Sequence, residues 1–215
     1  MISLNELIEN YKHTLTYNPP EYYFKQFVKK KLICKLHNDR YLSSIAHALP
    51  INVRKHAWIH GGACLSHLHD ENPSDYDILV WNLDDAFDAL DSNFKSDLKL
   101  LNVSTERYKH ARTHMRVMIN TDGGKLSVDL IKPKFYLFEP KVHVDFTFNS
   151  IYMNLYTGRL NLNEWSTSAK VMNPADISSE RLIKMAYKAE RYGYKMNFEG
   201  LPYDLVLSAL GQKNA

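Results

Sequence analysis

Through the first fifty residues apolar positions recur three and four apart, a spacing that predicts helices with one side turned to a core. Ser3, with Glu6 three residues later, forms a capping box ahead of the stripe Leu4, Leu7 and Ile8, so a first helix starts there. Asn18-Pro19-Pro20 ends it, because proline lacks an amide donor and restricts the residue before it. A second helix is expected over 21–36 and a third over 39–49, stopped near Pro50. Tyr22, Tyr23, Phe24 and Phe27 read as helix core, with base stacking the lesser option. Lys29-Lys30-Lys31 reads as a solvated face rather than a nucleic-acid contact.

From residue 57 the period changes. Residues 57–60 read as a short strand, Gly61-Gly62 as a tight turn and 63–69 as a short helix. Asn72-Pro73-Ser74 is a turn before a strand over 75–81, and a helix follows over 83–92. Strand-like runs at 116–120 and 125–131 flank Asp122-Gly123-Gly124, which is good hairpin chemistry. Residues 146–157 and 176–194 read as helical. The expected organisation is a helical N-terminal segment (1–50), a domain carrying the chemistry (51–160) and a helical C-terminal segment (161–215). No internal repeat, low-complexity tract or linker interrupts it, and the class is α+β.

With 45% hydrophobic and 24% charged residues, the composition is that of a globular protein and excludes disordered and fibrous classes. A formal charge of +3 fits a polyanionic partner without demanding one. Cys34 and Cys64 form no CxxC pair, which points to a reducing compartment. The N-terminus has no basic start followed by an apolar core, and no run approaches the roughly 20 apolar residues of a membrane span. The expected location is the cytoplasm, without a membrane partner.

The chemistry concentrates in Ser74-Asp75-Tyr76-Asp77-Ile78. Strand side chains alternate, so Asp75 and Asp77 share a face about 7 Å apart. Two neighbouring carboxylates repel, and a shared Mg²⁺ or Mn²⁺ relieves that cost. Such a pair alone also suits an exposed strand end. Gly61 and Gly62, however, stand at a strand–turn–helix junction upstream, where backbone can approach a triphosphate. A third acid, Asp129, lies in the apolar run Leu126-Ser127-Val128-Asp129-Leu130, opposite in face to Val128 and Leu130. An acid in an apolar strand needs a partner, either a salt bridge at a strand edge or a shared metal. Three carboxylates on adjacent strands are what two-metal phosphoryl transfer uses, which makes Asp75, Asp77 and Asp129 the candidate catalytic and metal-binding set.

Other constellations weigh less. His56, His60, His67 and His69 cluster near the Gly-Gly turn, but His67 and His69 lack the spacing of a helical zinc site. His110 and His114 have it, in a basic stretch that would repel a cation. Arg107, Lys109, Arg112 and Arg116 read as a solvated surface or a phosphate-facing patch.

The segments 58–63 and 74–78 resemble the head motif of class II tRNA nucleotidyltransferases, the bacterial CCA-adding enzymes and poly(A) polymerases of the DNA polymerase beta superfamily. Ser127-Val128-Asp129-Leu130 is similar to that family's third acidic strand, 142–151 to its Arg-Arg-Asp-Phe-Thr motif, and 180–194 to its Arg-Leu-Leu-Arg helix ending in glycine and an aromatic. The matches run in order over 57–194. The resemblance implies a small mixed sheet with helices, metal bound by Asp75 and Asp77 with Asp129 as third acid, and an NTP substrate. Gly61, Gly62 and Ser66 would lie along the nucleotide. Asp145 would sit near the ribose, or else cap the following helix. Arg181 and Lys184 would lie near the nucleotide or primer end, or else face solvent.

This chain departs from the family pattern at several places. It has Leu65-Ser66 where the family has Arg-Asp, His143-Val144 in place of Arg-Arg, and Tyr187 where an arginine is usual. No Glu-Asp-x-x-Arg base-selecting segment is present, and little chain follows Gly193-Tyr194, so complete CCA addition by this chain alone is not expected. The leading expectation is transfer of a nucleoside monophosphate to a hydroxyl, with an RNA 3′ end, tRNA or other, as acceptor. The alternatives are a non-catalytic nucleotide- or RNA-binding module, and a toxin-like transferase modifying tRNA or protein.

Overall fold

The computed structural model describes residues 1–13, 21–94, 101–102, 111–121, 124–133, 145–172, 174 and 177–207. Helices α1 (Leu4–His13), α2 (Glu21–Asn38), α3 (Arg40–Ala48) and α4 (Ile51–Arg54) precede strand β1 (Trp58–His60) and helix α5 (Gly62–Leu68). Strand β2 (Asp75–Leu79), helix α6 (Leu83–Phe94) and strands β3 (Leu101–Asn102), β4 (Ala111–Thr121) and β5 (Gly124–Pro133) follow. The chain continues through β6 (Tyr152–Asn154), β7 (Leu160–Asn161), β8 (Ser168–Lys170), α7 (Ser179–Arg191) and β9 (Lys195–Asn197). Two compact units result: Met1–Phe27 with Val142–Ser150 and Leu162–Ala215, and Val28–Lys141 with Ile151–Asn161.

The second unit holds a seven-stranded sheet in the order β3-β4-β5-β2-β1-β6-β7. Strands β2 and β5 are parallel and the other neighbours antiparallel, so the sheet is mixed, as expected. Alternation sorts its two faces. Ile59, Ile78 and Leu130 align across β1, β2 and β5, and Tyr76, Val128 and Val117 across β2, β5 and β4, all buried. Helix α5 packs on β1 and β2, α6 on β5 and β4, and α3 on α6. Asp39 caps α3, accepting from the Tyr41 and Leu42 amides, and its carboxylate also accepts from Tyr76 on this face. The opposite face carries Asp75, Asp77, Asp129 and Arg116.

The first unit is a smaller aromatic core around Trp165, Phe146, Phe148 and Tyr194. The Ser3–Glu6 capping box forms, with the Ser3 amide donating to Glu6 Oε2 at 2.7 Å. Helix α7 buries Leu182, Met185 and Ala189 in a stripe and is capped by Ser178. It ends at Gly193, whose positive φ of 78° lets the Tyr194 amide return to Ala189 O and its own to Glu190 O.

The helix expected over 146–157 is not one. Residues Thr147–Asn149 make a single 3₁₀ turn and Tyr152–Asn154 form strand β6. Strand β6 pairs with β1 and β7 and is buried throughout, so it shows no alternation to separate it from a helix stripe. Asn154 ends it, its Oδ1 accepting from the Tyr156 and Thr157 amides while Nδ2 donates to Lys55 O and Ala57 O. No helix of the described residues is long and apolar enough to cross a membrane.

Candidate active site

Strand register brings the site together. Asp77 on β2 lies opposite His60 on β1 and Asp129 on β5, and Asp129 lies opposite Arg116 on β4. One row, His60–Asp77–Asp129–Arg116, therefore crosses four strands on one face. Asp75, two residues before Asp77, flanks it beside Ser127. The carboxylates of Asp75, Asp77 and Asp129 each offer an oxygen within 4.8 Å of the others. Asp75 and Asp77 are half-buried, whereas Asp129 is fully buried.

Three anions so close repel strongly in a partly desolvated setting. The fold offsets part of this with Arg116, which grips Asp129 through both oxygens, Nε to Oδ1 at 2.6 Å and Nη2 to Oδ2 at 2.7 Å. This fork-on-carboxylate geometry is the strongest form of the pair. Ser74 Oγ donates to Asp75 Oδ1 at 3.0 Å.

His60 is the second unusual group. It is 6% exposed, and neither ring nitrogen has a hydrogen-bond partner among the described residues. Burial lowers its pKa to about 4, against an opposing pull from Asp129, so the imidazole stays neutral in ordinary buffers. A neutral, unpartnered imidazole in line with the acids fits a site meant to take up a polar ligand or hydrated cation. Carboxylate oxygens are hard donors, and Asp75, Asp77 and Asp129 together could hold a metal ion.

Gly61 follows His60 directly and has φ 67°, a conformation that favours glycine. Its amide donates to Ile151 O, and α5 starts at Gly62. Ser66 lies further along α5, half-buried. Cys64 on the same helix is buried; desolvation, and then the Asp77 charge, push its thiol far above the usual range. Behind β2, Asp39 Oδ2 accepts from Tyr76 Oη at 2.5 Å and from His67 Nε2 at 2.7 Å. Tyr76 stands between Asp75 and Asp77, so this buried network fixes the strand that carries them. Burial alone would raise the Asp39 carboxyl, but the bonds from His67, Tyr76 and the Leu42 amide outweigh it and hold it below the usual range.

The remaining expected residues lie in the other unit. Arg181 Nε donates to Asp145 Oδ2 at 2.6 Å, so Asp145 is paired with α7 rather than capping the 3₁₀ turn. Lys184 is exposed on α7. Arg107, Lys109, His110, Asp122, Gly123, His143 and Val144 fall outside the described residues. Of the clustered histidines, His67 is committed to Asp39, and the four form no metal-ligand group among the described residues.

Arg116, His60 and Asp39 were not assigned these roles from sequence. A signal for Arg116 existed: with Thr121 opposite Gly124, counting back along the hairpin places Arg116 opposite Asp129. Nothing comparable marks Asp39, whose partners lie 28 and 37 residues away.

Comparison of the fold with solved structures finds CCA-adding enzymes. The Thermotoga maritima CCA-adding enzyme complexed with tRNA matches with a TM-score of 0.58 at 15% identity, over 85% of this chain and 45% of that one. A CCA-adding enzyme complex with CTP matches at 0.58 and 16%, over 85% and 46% of the respective chains. A complex with ATP matches at 0.56 and 16%, over 85% and 44%. No family model and no curated protein matches the sequence. This chain spans less than half the length of those structures, and at such identity the likeness establishes the fold: a mixed α+β fold of the kind that nucleotidyltransferases share.

Proposed function

We propose that this chain is a metal-dependent nucleotidyltransferase that moves a nucleoside monophosphate from an NTP to a hydroxyl, at an RNA 3′ end, and releases pyrophosphate. The observation that carries the reading is the convergence of Asp75, Asp77 and Asp129 within 4.8 Å on one sheet face. The fold it shares with CCA-adding enzymes, described in complexes with tRNA, CTP and ATP, supports an NTP donor and an RNA acceptor.

In this reading Asp75 and Asp77 hold Mg²⁺ or Mn²⁺, with Asp129 as the third ligand. A divalent ion there supplies charge neutralisation for the triphosphate and acidity for the attacking hydroxyl. Asp75 and Asp77, half-exposed, face the substrate side; Asp129, buried and fixed by Arg116, sets the depth of the site. The backbone at Gly61-Gly62 and Ser66 on α5 line the approach for the triphosphate.

The test supplies purified protein with Mg²⁺ or Mn²⁺, each NTP separately and a cellular RNA pool, followed by sequencing of 3′ ends. Wild type adds a defined nucleotide and Asp77→Ala adds none. No addition with any NTP, together with nucleotide binding unchanged in Asp77→Ala, would refute the enzyme. NTP-independent RNA binding unaffected by Asp77→Ala would favour the binding module instead. The tight Arg116–Asp129 pair is the one observation favouring that second reading, since it already neutralises the third acid.

A further inference from the structure

We propose that Arg116 is the resident counter-cation of the acid cluster, competing with a divalent ion for Asp129. The proposal rests on the metal-binding reading above and specifies how that site is loaded. Three carboxylates carry three negative charges, and Arg116 removes one of them before any metal binds. Its fork occupies both oxygens of Asp129, the one acid with no access to water, at 2.6 and 2.7 Å. The two are cross-strand partners in the β4–β5 hairpin, so the pair is set by register rather than by a flexible approach. Arg116 itself keeps 24% side-chain exposure, whereas Asp129 keeps 1%. On the other side of the row, the two buried ring nitrogens of His60 have no hydrogen-bond partner among the described residues.

An ion pair that merely orients Asp129 would strengthen metal binding, because it pre-sets a ligand. A counter-cation weakens it, because ion and guanidinium compete for the same charge. The two roles therefore predict opposite signs. An opposite charge within about 4–6 Å changes a carboxylate's proton affinity about tenfold to a thousandfold. A divalent ion competing for the same carboxylate is expected to gain at least the lower figure when that charge is removed.

The experiment is titration of the full chain with Mn²⁺ alone, without nucleotide, reading free Mn²⁺ by electron paramagnetic resonance. Wild type is expected to bind one ion. Arg116→Gln is expected to bind a second ion, or to bind the first at least about tenfold more tightly. Arg116→Lys, which keeps the charge, stays near wild type, and Arg116→Gln combined with Asp129→Asn loses the gain. If Arg116→Gln is destabilised, Mn²⁺ must raise its melting temperature by more than it raises that of wild type. An Arg116→Gln protein that binds Mn²⁺ as wild type does, or more weakly, or that Mn²⁺ fails to stabilise, overturns the inference. Asp77→Ala separates the two readings: if wild type takes up no Mn²⁺, or Asp77→Ala takes it up equally, the metal site itself is refuted along with the role of Arg116.

Discussion

Replacing Asp39 with alanine would remove the group that ties the start of α3 to α5 and to strand β2. Its Oδ1 caps α3 through the Tyr41 and Leu42 amides at 2.9 and 3.0 Å, and its Oδ2 takes hydrogen bonds from His67 and Tyr76. Loss of a side-chain cap costs about 1 kcal/mol. Each bond to a charged acceptor is worth about 1.5–3 kcal/mol, and its loss leaves a buried donor unsatisfied. The total, reduced for the coupling of groups in one network, is about 4 kcal/mol. Asp39→Asn keeps a cap oxygen and should cost about 1–2 kcal/mol. The assay is urea unfolding followed by circular dichroism, with Tyr76→Phe and the double variant completing a cycle. Because the folded carboxyl titrates below its usual range, its stabilisation is complete above the unfolded pKa of about 3.9 and is lost as pH falls through the lower folded value. Wild type should therefore lose stability below pH 4 more steeply than Asp39→Asn. An Asp39→Ala protein within about 0.5 kcal/mol of wild type at pH 7 would show that the network contributes no more than a surface site does.

Asp75→Ala and Asp77→Ala should each abolish Mn²⁺ uptake and nucleotide transfer while keeping wild-type circular dichroism, since both residues are half-buried at the site face. In folded protein at pH 8, iodoacetamide should label the exposed Cys34 and spare Cys64, whose thiol is raised by burial and the Asp77 charge; mass spectrometry showing two labels on native chain would contradict this. Arg181→Ala should cost less than about 1 kcal/mol in stability, since both it and Asp145 are about 40% exposed. A larger loss by thermal unfolding would mean that the pair anchors α7.

Much of the fold could be read in advance because local signals agreed with the tertiary outcome. The capping box at Ser3 and Glu6 and Gly193 after α7 each act within one turn of chain. Strands β2 and β5 declared themselves by alternation, since one face of each packs on helices and the other bears acids. The region around Tyr152 failed for the converse reason. Strand β6 is buried at every position between β1 and β7, and Phe148, Ile151, Tyr152 and Leu155 fall at helical spacing by coincidence. The turn chemistry of Asn154 and Gly158, with φ 67° at the glycine, carried the correct signal and outweighs periodicity over so short a run. Strands β3, β7, β8 and β9 hold only two or three residues and leave no pattern to read.

The acids were legible for a different reason. An isolated Asp in an apolar run is costly unless something answers its charge, so Asp129 could be singled out without knowing its neighbours. What answers it could not be settled from Asp129 alone. A salt bridge and a shared metal looked like exclusive explanations, yet the hairpin register supplies the salt bridge while the parallel pairing of β2 with β5 brings the acids together. The two pairings are independent: one is local to the β4–β5 turn, the other joins strands that α6 and β4 separate in sequence. Shifting the hairpin by one residue would turn Arg116 to the helix face and leave Asp129 without its guanidinium, while the three carboxylates would still meet. The charge balance of this site thus depends on the β4–β5 register, in which neither Asp75 nor Asp77 takes part.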